Sequence, residues 1–172
     1  YVIVYSERNE NMAQRQIREV GDPLLRKKSR VVETIDDKVK QLIDDMYDTL
    51  KASDDGIGIA APQVGVLKRV IIVDLGEEGE GGPYKLINPV ITKAKGEQVC
   101  REGCLSVPGL LGDVTRPKEV TVEAINEEGK KVIIKAKDLL AICLCHEIDH
   151  LDGILFIDKA TELFDADAED EE

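Results

Sequence analysis

The sequence predicts an α+β fold in which antiparallel sheets pack around a central helix that carries a metal-binding motif. Several short runs of β-branched residues are joined by turn-like segments, which favours antiparallel strands over parallel ones. Two longer stretches have helical character instead. The second of these is apolar and leads directly into the motif His-Glu-Ile-Asp-His at 146–150.

An amphipathic helix is predicted over residues 36–52. Its apolar face consists, at three- and four-residue spacing, of Val39, Leu42, Ile43, Met46 and Leu50. Asp36 and Asp37 stand at the predicted N-terminus, where the helix dipole favours negative charge. The sequence Asp-Asp-Gly at 54–56 should end the helix.

Short strands are predicted by apolar and β-branched runs at 70–73, 84–87, 90–91, 120–124 and 132–134. The connector 76–83 is rich in Gly and Glu, and the sequence Asn-Glu-Glu-Gly at 126–129 suits a hairpin. A second helix is predicted from Asp138 through the apolar stretch 138–144 and on through the motif.

The chain has 172 residues, of which 42% are hydrophobic, and this is enough for the core of one domain. Residues 1–11 precede Met12 and show no period that joins the rest, so we assign them to a leader or an extension. Residues 12–161 form the predicted domain. Residues 162–172 are dominated by Asp and Glu, and we expect a disordered acidic tail there.

The formal net charge of −12 disfavours a nucleic-acid-binding protein. Only the segment 26–30 is locally basic, and we interpret it as a solvated turn. No apolar run approaches the roughly 20 residues that span a bilayer, and no signal peptide is evident. We therefore expect a cytoplasmic protein with no membrane partner and no direct nucleic-acid partner. In that reducing compartment its four cysteines should be thiols or metal ligands.

The motif at 146–150 indicates a metal site. Positions i and i+4 of a helix project from one face, so His146 and His150 can hold one divalent metal, with Glu147 beside its bound water. A catalytic centre of the zinc type usually takes three protein ligands and keeps one position open. The chain has two His residues, so the third ligand must be Cys, Asp or Glu. The pattern favours metal-assisted hydrolysis over a chance match.

Two further stretches stand out beside the helix. The first is Gly-Ile-Gly-Ile-Ala-Ala-Pro-Gln-Val-Gly at 56–65, and the second is Glu-Gly-Cys-Leu-Ser-Val-Pro-Gly at 102–109. A phosphate-binding loop is the alternative interpretation of the first stretch. That stretch lacks both the Lys-Ser/Thr ending and the full dinucleotide glycine spacing, which disfavours phosphate binding.

Together with the helix, these stretches resemble the three signature motifs of bacterial-type peptide deformylases, in the order found in that family. The sequence Gly-Asp-Pro-Leu-Leu at 21–25 and the sequence Ile-Asn-Pro at 87–89 are similar to the family as well. The resemblance covers residues 17–159. It implies hydrolysis of the N-formyl group from the N-terminal methionine of newly synthesised polypeptides, with release of formate.

The resemblance also implies roles for single residues. The implied metal ligands are Cys104, His146 and His150, and the implied general acid and base is Glu147. The side-chain amide of Gln63 and the backbone N–H of Leu105 are the implied donors to the oxygen that gains negative charge. Cys143 is the competing thiol ligand, because it shares the helix face of both His residues, but Cys104 can approach from across the site.

We assign the substrate-binding residues as an apolar slot for the methionine side chain. The slot consists of Ile57, Gly58, Leu139, Ile142 and Cys143. Glu102 is grouped with them and is expected to pair with Arg116 behind the cysteine loop, an exposed Arg116 being the alternative. The segment 56–58 could add the peptide as a strand, which suits a partner as varied as N-formylmethionyl nascent peptides.

One divalent metal ion is the cofactor that the resemblance implies, with Fe(II) expected in the cell. The same Cys-His-His donors also hold Zn, Ni or Co, so a purified sample can contain a replacement. Some relatives dock on the ribosome through a basic C-terminal helix. Because the tail here is acidic, ribosome docking is only weakly supported.

Two other functions fit parts of the sequence. A zinc endopeptidase would share the motif at 146–150 and would need a further ligand downstream, where Glu162 follows His150 by 12 residues. A non-catalytic binding module would instead close a structural metal site with a second thiol beside Cys104. Neither function accounts for both Glu147 and Gln63.

Overall fold

The computed structural model describes residues 14–77 and 82–171. Its α-helices are α1 (Asp37–Ala52), α2 (Asp138–Leu151) and α3 (Phe156–Lys159). Its strands are β1 (Gly58–Ala60), β2 (Val70–Val73), β3 (Tyr84–Lys95), β4 (Gln98–Cys104), β5 (Val107–Arg116), β6 (Glu119–Ile125), β7 (Lys131–Lys137) and β8 (Glu162–Asp165). Short 3-10 helices occupy Pro23–Arg26, Ala61–Val64 and Ala166–Glu171.

The strands form two antiparallel sheets. The larger sheet has the order β1-β2-β3-β6-β7, and the smaller sheet has the order β4-β5-β8. Helix α2 contacts strands of both sheets and carries the motif at 146–150. The predicted α+β fold with a central motif helix is therefore confirmed.

The larger sheet is covered by a helix on each face. In β2, Ile71 and Val73 pack in the cluster that includes α2, whereas Val70 and Ile72 pack in the cluster that includes α1. All four residues are buried. A strand that is covered on both faces reads as a continuous apolar run, which explains the sequence Val-Ile-Ile-Val.

Helix α1 begins one residue later than predicted. The carboxylate of Asp36 accepts a hydrogen bond from the backbone N–H of Val39 at 3.0 Å, so Asp36 is the N-cap. The predicted apolar face is buried against β1 and β2.

The predicted strands at 84–87 and 90–91 are parts of the single strand β3, which is interrupted by a register shift between Ile87 and Val90. The predicted hairpin joins β6 to β7, and the backbone N–H of Gly129 donates to the carbonyl oxygen of Asn126 at 3.0 Å. Part of the predicted connector 76–83 lies outside the described residues. Strands β1, β4, β5 and β8 are not predicted by the sequence patterns.

The expectation of a disordered tail is wrong for residues 162–165. These residues form β8, which pairs antiparallel with β5 in the register Leu110 to Asp165 and Asp113 to Glu162. Phe164 supplies the physical reason, because the guanidinium of Arg101 lies 3.9 Å from its ring centre. The first 11 residues, assigned to a leader or extension, lie outside the described residues.

None of the described helices combines the length and the apolar character that a bilayer crossing requires. None of the four cysteines is in a disulfide bond.

Candidate metal centre

The metal-binding atoms converge from helix α2 and strand β4. His146 and His150 lie one helical turn apart with their ring centres separated by 5.2 Å. Cys104 ends β4, and its Sγ lies 3.3 Å from Nε2 of His150. One ligand atom from each of the three residues lies within 4.8 Å of the other two. A tetrahedral zinc ion with ordinary bond lengths separates its N and S donors by about 3.3–3.6 Å, so this donor set fits a divalent metal.

The alternative ligands lie outside this group. Among the described residues, no fourth Cys, His, Asp or Glu joins the three, so the group has the number of protein ligands that is usual for a catalytic metal centre. Cys143 is not among the grouped ligand atoms, and burial, together with the nearby charge of Glu147, raises the pKa of its thiol to about 12. Glu162 lies in β8 and is exposed. The geometry therefore favours Cys104 over Cys143 and Glu162 as the third member of a possible metal-binding group.

A buried ion pair supports His146 from behind. Arg116 donates from Nε and Nη2 to the two carboxylate oxygens of Glu102, each at 2.8 Å, and Oε1 of Glu102 lies 2.8 Å from Nδ1 of His146. Burial opposes the charge on Glu102, but hydrogen bonds from Arg116 and His146 outweigh it and lower the pKa of this carboxyl. The arrangement fixes the ring of His146 so that Nε2 is available to a metal.

These contacts bear on two predictions, the exposure of Arg116 and the role of Glu102. Arg116 is only 3% exposed, so the alternative of an exposed arginine is wrong. Glu102 borders the cavity described below, but both of its oxygens are bonded to Arg116 and His146. Its contacts therefore support a ligand-orienting role, in contrast to its assignment among the substrate-binding residues.

Sequence reasoning did not identify Asp149 as part of this network. The carboxylate of Asp149 accepts a hydrogen bond from Nη1 of Arg116 at 2.6 Å and lies 2.9 Å from Nζ of Lys159. Asp149 is inside the helical motif, and its three-residue spacing from His146 places it beside the metal-binding face of the helix. This spacing alone does not indicate a bond to Arg116.

Glu147 is a buried carboxylate with little support from protein donors. It is 4% exposed, and its Oε2 has no hydrogen-bond partner among the described residues. Burial is the main cause that raises its pKa, to about 7. A carboxylate that is poised near neutral pH and has a free oxygen can accept and return a proton.

The amide of Gln63 is oriented by its neighbours. Its Oε1 accepts a hydrogen bond from the backbone N–H of Ala60 at 2.9 Å, which directs Nε2 towards the metal-binding atoms. Nε2 lies 3.5 Å from Sγ of Cys104 and 3.1 Å from Oγ of Ser106. Ser106 is fully buried and was not singled out from the sequence. Gln63 is thus a preorganised donor, not an exposed loop amide.

A cavity of about 430 Å³ opens beside these groups. It is lined by nearly all of the predicted site residues: Ile57, Gly58, Gln63, Glu102, Cys104, Leu105, Leu139, Ile142, Cys143, His146 and Glu147. Ile142 and Cys143 are buried, whereas Ile57 and Leu139 are partly exposed at the rim. Lining residues that the sequence did not indicate include Cys100, Leu110 and Ala166.

Comparison with known proteins shows one family throughout. A family model described as polypeptide deformylase matches residues 14–165. The chain is 55% identical over 156 residues to a peptide deformylase of Acetivibrio thermocellus, covering 91% of this chain and 89% of the relative. It is also 55% identical over 151 residues to peptide deformylase 2 of Clostridium acetobutylicum, covering 88% and 98% respectively.

Solved structures agree with the sequence relatives. The crystal structure of peptide deformylase from Thermotoga maritima is similar with a TM-score of 0.81 and 37% identity, covering 87% of this chain and 99% of that one. The deformylase of Ehrlichia chaffeensis in complex with actinonin is similar with a TM-score of 0.83 and 40% identity, covering 87% and 90%.

Proposed function

Because the chain belongs to the polypeptide deformylase family of metal-dependent enzymes, we propose that it removes the N-formyl group from the N-terminal methionine of newly synthesised polypeptides and releases formate. The observation that carries this proposal is the convergence of three ligand atoms within 4.8 Å beside a buried carboxylate with a free oxygen. Metal-assisted hydrolysis of an amide uses a metal site and a nearby proton acceptor together.

In the proposed reaction Cys104, His146 and His150 hold one divalent metal. When bound, such an ion polarises a carbonyl oxygen and lowers the pKa of water. Glu147 accepts the proton of the attacking water and returns it to the departing amine. Burial raises the pKa of Glu147, which favours return of the proton to the amine.

Two donors of the chain stabilise the oxygen of the formyl group as it gains negative charge. We assign this role to Nε2 of Gln63, which Ala60 orients, and to the backbone N–H of Leu105. Removing a comparable donor from a hydrolase costs about 3 kcal/mol in the transition state.

The methionine side chain enters the apolar part of the cavity in our proposal. The slot is formed by Ile57, Gly58, Leu139, Ile142 and Cys143, and all five border the cavity. The absence of a Cβ at Gly58 leaves the peptide backbone room to approach β1. Recognition through the main chain tolerates the varied sequences of nascent peptides.

The metal in the cell is proposed to be Fe(II). A thiolate and two imidazoles bind late first-row divalent ions generally, so Zn, Ni or Co can replace it during purification. Metal analysis of protein purified without oxygen tests this assignment, and a predominance of another ion in such a sample would contradict it.

Formate release from a formyl-Met-Ala peptide tests the activity. We expect release from this peptide and no cleavage of an unformylated peptide with internal bonds only, which separates the proposed enzyme from an endopeptidase. The variant Glu147→Gln should retain metal and lose at least about 100-fold in turnover, since general acid-base catalysis contributes roughly that much. Glu162→Gln is the matched control, because Glu162 is an exposed carboxylate outside the ligand group.

Two outcomes would contradict the proposal. Cleavage of internal peptide bonds without formate release would favour the endopeptidase. Equal turnover of Glu147→Gln and the unaltered chain would mean that the carboxylate moves no proton.

A further inference from the structure

Residues 15–22, here called the crossing segment, connect three separate parts of the molecule. The backbone N–H of Arg15 donates a hydrogen bond to Oγ1 of Thr49 at 3.0 Å, and the guanidinium of Arg15 lies 2.9 Å from the carboxylate of Asp45. Both partners are buried residues of α1. The start of the crossing segment is therefore fixed to this helix.

The crossing segment then bonds to two loops that border the metal centre. The backbone N–H of Arg18 donates to the carbonyl oxygen of Gln63 at 2.7 Å, and that of Val20 donates to the carbonyl oxygen of Ser106 at 2.7 Å. In an extended chain, groups two residues apart point to the same side. The crossing segment therefore holds these two carbonyl groups side by side, although Gln63 and Ser106 are 43 residues apart in the sequence.

Both bonded loops carry a donor that we assigned to the formyl oxygen. Gln63 supplies Nε2 from the 3-10 helix that follows β1. Leu105 and Ser106 are the two turn residues between β4 and β5, where Cys104 pairs with Val107. The bond from Val20 therefore holds the same turn that presents the backbone N–H of Leu105.

The direction of the Gln63 amide depends on the distance between the two loops. Its Nε2 has two hydrogens. One is directed to Oγ of the fully buried Ser106 at 3.1 Å, and Nε2 also lies 3.5 Å from Sγ of Cys104. A shift of Ser106 relative to the 3-10 helix would change where Nε2 points. A donor to an oxygen that gains charge must be placed before the reaction begins.

We propose that the crossing segment is a positioning element that sets the distance between the two donors. The backbone N–H of Val20 is its decisive group, because it fixes Ser106 and through Ser106 the amide of Gln63. Val20 is a positioning residue, since it acts through these neighbours. This inference rests on the proposed function, in which the two donors stabilise the oxygen of the formyl group.

Covering the loops is the other explanation of the crossing segment. The guanidinium of Arg18 lies over Gly65, where a Cβ would be 3.1 Å from its Nε. If covering were the only role, loss of one backbone hydrogen bond would lower stability and leave kcat unchanged. The two explanations therefore differ in their kinetic consequences.

The variant Val20→Pro removes the decisive N–H and fits the local backbone. The backbone N–H of Asp22 donates to the carbonyl oxygen of Glu19 at 3.0 Å, and Gly21 has a φ of +103° whereas Val20 has no positive φ. These features define a type II turn with Val20 at its second position, where Pro is common. The matched control is Val20→Ala, which retains the N–H and changes a side chain that is 45% exposed.

Formate release at saturating formyl-Met-Ala gives the kinetic test. In Val20→Pro we expect kcat to fall about tenfold, since a displacement of about 1 Å costs about 10²-fold and the loss of one support should move the donor by less. KM should stay within about twofold, because the apolar slot is unchanged. Val20→Ala should keep kcat within about twofold of the unaltered chain.

A second background shows whether the effect passes through Gln63. When Gln63→Ala has already removed that donor, adding Val20→Pro should lower kcat by less than about threefold, because coupled residues are not additive. Leu105 is still held there by the pairing of β4 with β5. A tenfold loss in both backgrounds would overturn the proposal, and so would an unchanged kcat in Val20→Pro.

Amide hydrogen exchange of the zinc-loaded protein tests the same contacts without an activity assay. The N–H groups of Arg18 and Val20 should be protected in the unaltered chain, and rapid exchange at both would overturn the proposal even if Val20→Pro failed to fold. The N–H of Ala60 is bonded to Oε1 of Gln63, so it should exchange at least about threefold faster in Val20→Pro than in Val20→Ala. Absence of formate release from the unaltered chain would contradict the proposed function, whereas equal exchange of Ala60 in the two variants would contradict the positioning role.

Discussion

Replacing Gly58 by Ala should displace the carboxylate of Glu147 and leave the fold intact. A Cβ at position 58 would lie 2.6 Å from Oε1 of Glu147 and 3.0 Å from its Cδ and Cγ. A carbon–oxygen contact normally needs about 3.3 Å, so the carboxylate must move by about 0.7 Å. Displacements of about 1 Å in a catalytic group can cost 10²-fold. We therefore expect kcat to fall by about 10- to 100-fold, or about 1.4–2.7 kcal/mol in the barrier.

The assay is formate release at saturating formyl-Met-Ala, with metal content and the free energy of unfolding measured on the same samples. Saturating substrate separates displacement of Glu147, which lowers kcat, from obstruction of the peptide, which raises KM. Position 58 has no left-handed backbone conformation, so Ala introduces no backbone strain there. Stability and metal content should therefore change little.

Gly76→Ala is the matched control, because we expect it to lower stability and leave kcat unchanged. A Cβ at position 76 would meet nothing within 4 Å, but the backbone φ is +76°. The left-handed conformation costs a residue with a side chain about 1–2 kcal/mol. This variant should lose stability and keep kcat. A Gly58→Ala enzyme that retains its metal and has kcat within threefold of the unaltered chain would refute the reasoning.

Two further predictions concern the supports of the site. Arg116→Leu should lower the free energy of unfolding by about 3–5 kcal/mol in urea denaturation, because it leaves the charge of Glu102 buried without its main partner; a loss below 1 kcal/mol would contradict this role. Removing residues 162–172 should lower the same quantity by about 1–4 kcal/mol, since β8 contributes four cross-strand pairs worth about 0.2–1 kcal/mol each. An unchanged urea midpoint after this truncation would show that β8 adds no stability.

Helices α1 and α2 could be predicted because their signals are local. The apolar period of α1 and the charge at Asp36 lie within 15 residues of each other, and both features reflect the geometry of a single helix. Strand β2 was predictable for the same reason, because burial on both faces leaves a continuous apolar run. These three elements could be predicted without knowing which parts of the chain pack against them.

Strands β4 and β5 could not be predicted from local patterns. They contain Gly103, Gly109 and Gly112 together with charged residues, and such residues have low strand propensity. Their conformation depends on pairing with each other and on the side chains that they hold at the site. Gly112, for example, faces Phe156, and a Cβ there would lie 3.1 Å from its ring. Close packing therefore accounts for a glycine such as Gly112, and such glycines hide the strand pattern in the sequence.

The residues of the candidate site that lie in sequence motifs could be predicted, whereas some of the contacts that support them could not. The four-residue spacing indicated His146 and His150, the family resemblance added Cys104, and the structure brings their ligand atoms together. The bonds of Arg116 to Glu102 and Asp149 span 14 and 33 residues. Contacts at such separations leave no periodic signal in one sequence, so Asp149 was missed.

Two buried glutamates in this site differ in environment and therefore in chemistry. Glu102 is 6% exposed and Glu147 is 4% exposed, so burial alone does not distinguish them. Arg116 and His146 lower the pKa of Glu102, which stays ionised and holds the imidazole in place. Glu147 has a free oxygen, and its pKa is raised to about 7.

Environments that separate the pKa values of two like groups divide the roles of fixed charge and proton carrier between them. The supporting arginine is what makes this division possible, because it stabilises the charge of Glu102 and lies on the side of the imidazole remote from the cavity. A second arginine beside Glu147 would lower its pKa in the same way. The carboxylate would then be a poorer proton acceptor, so an Oε2 with no hydrogen-bond partner among the described residues suits the proposed reaction.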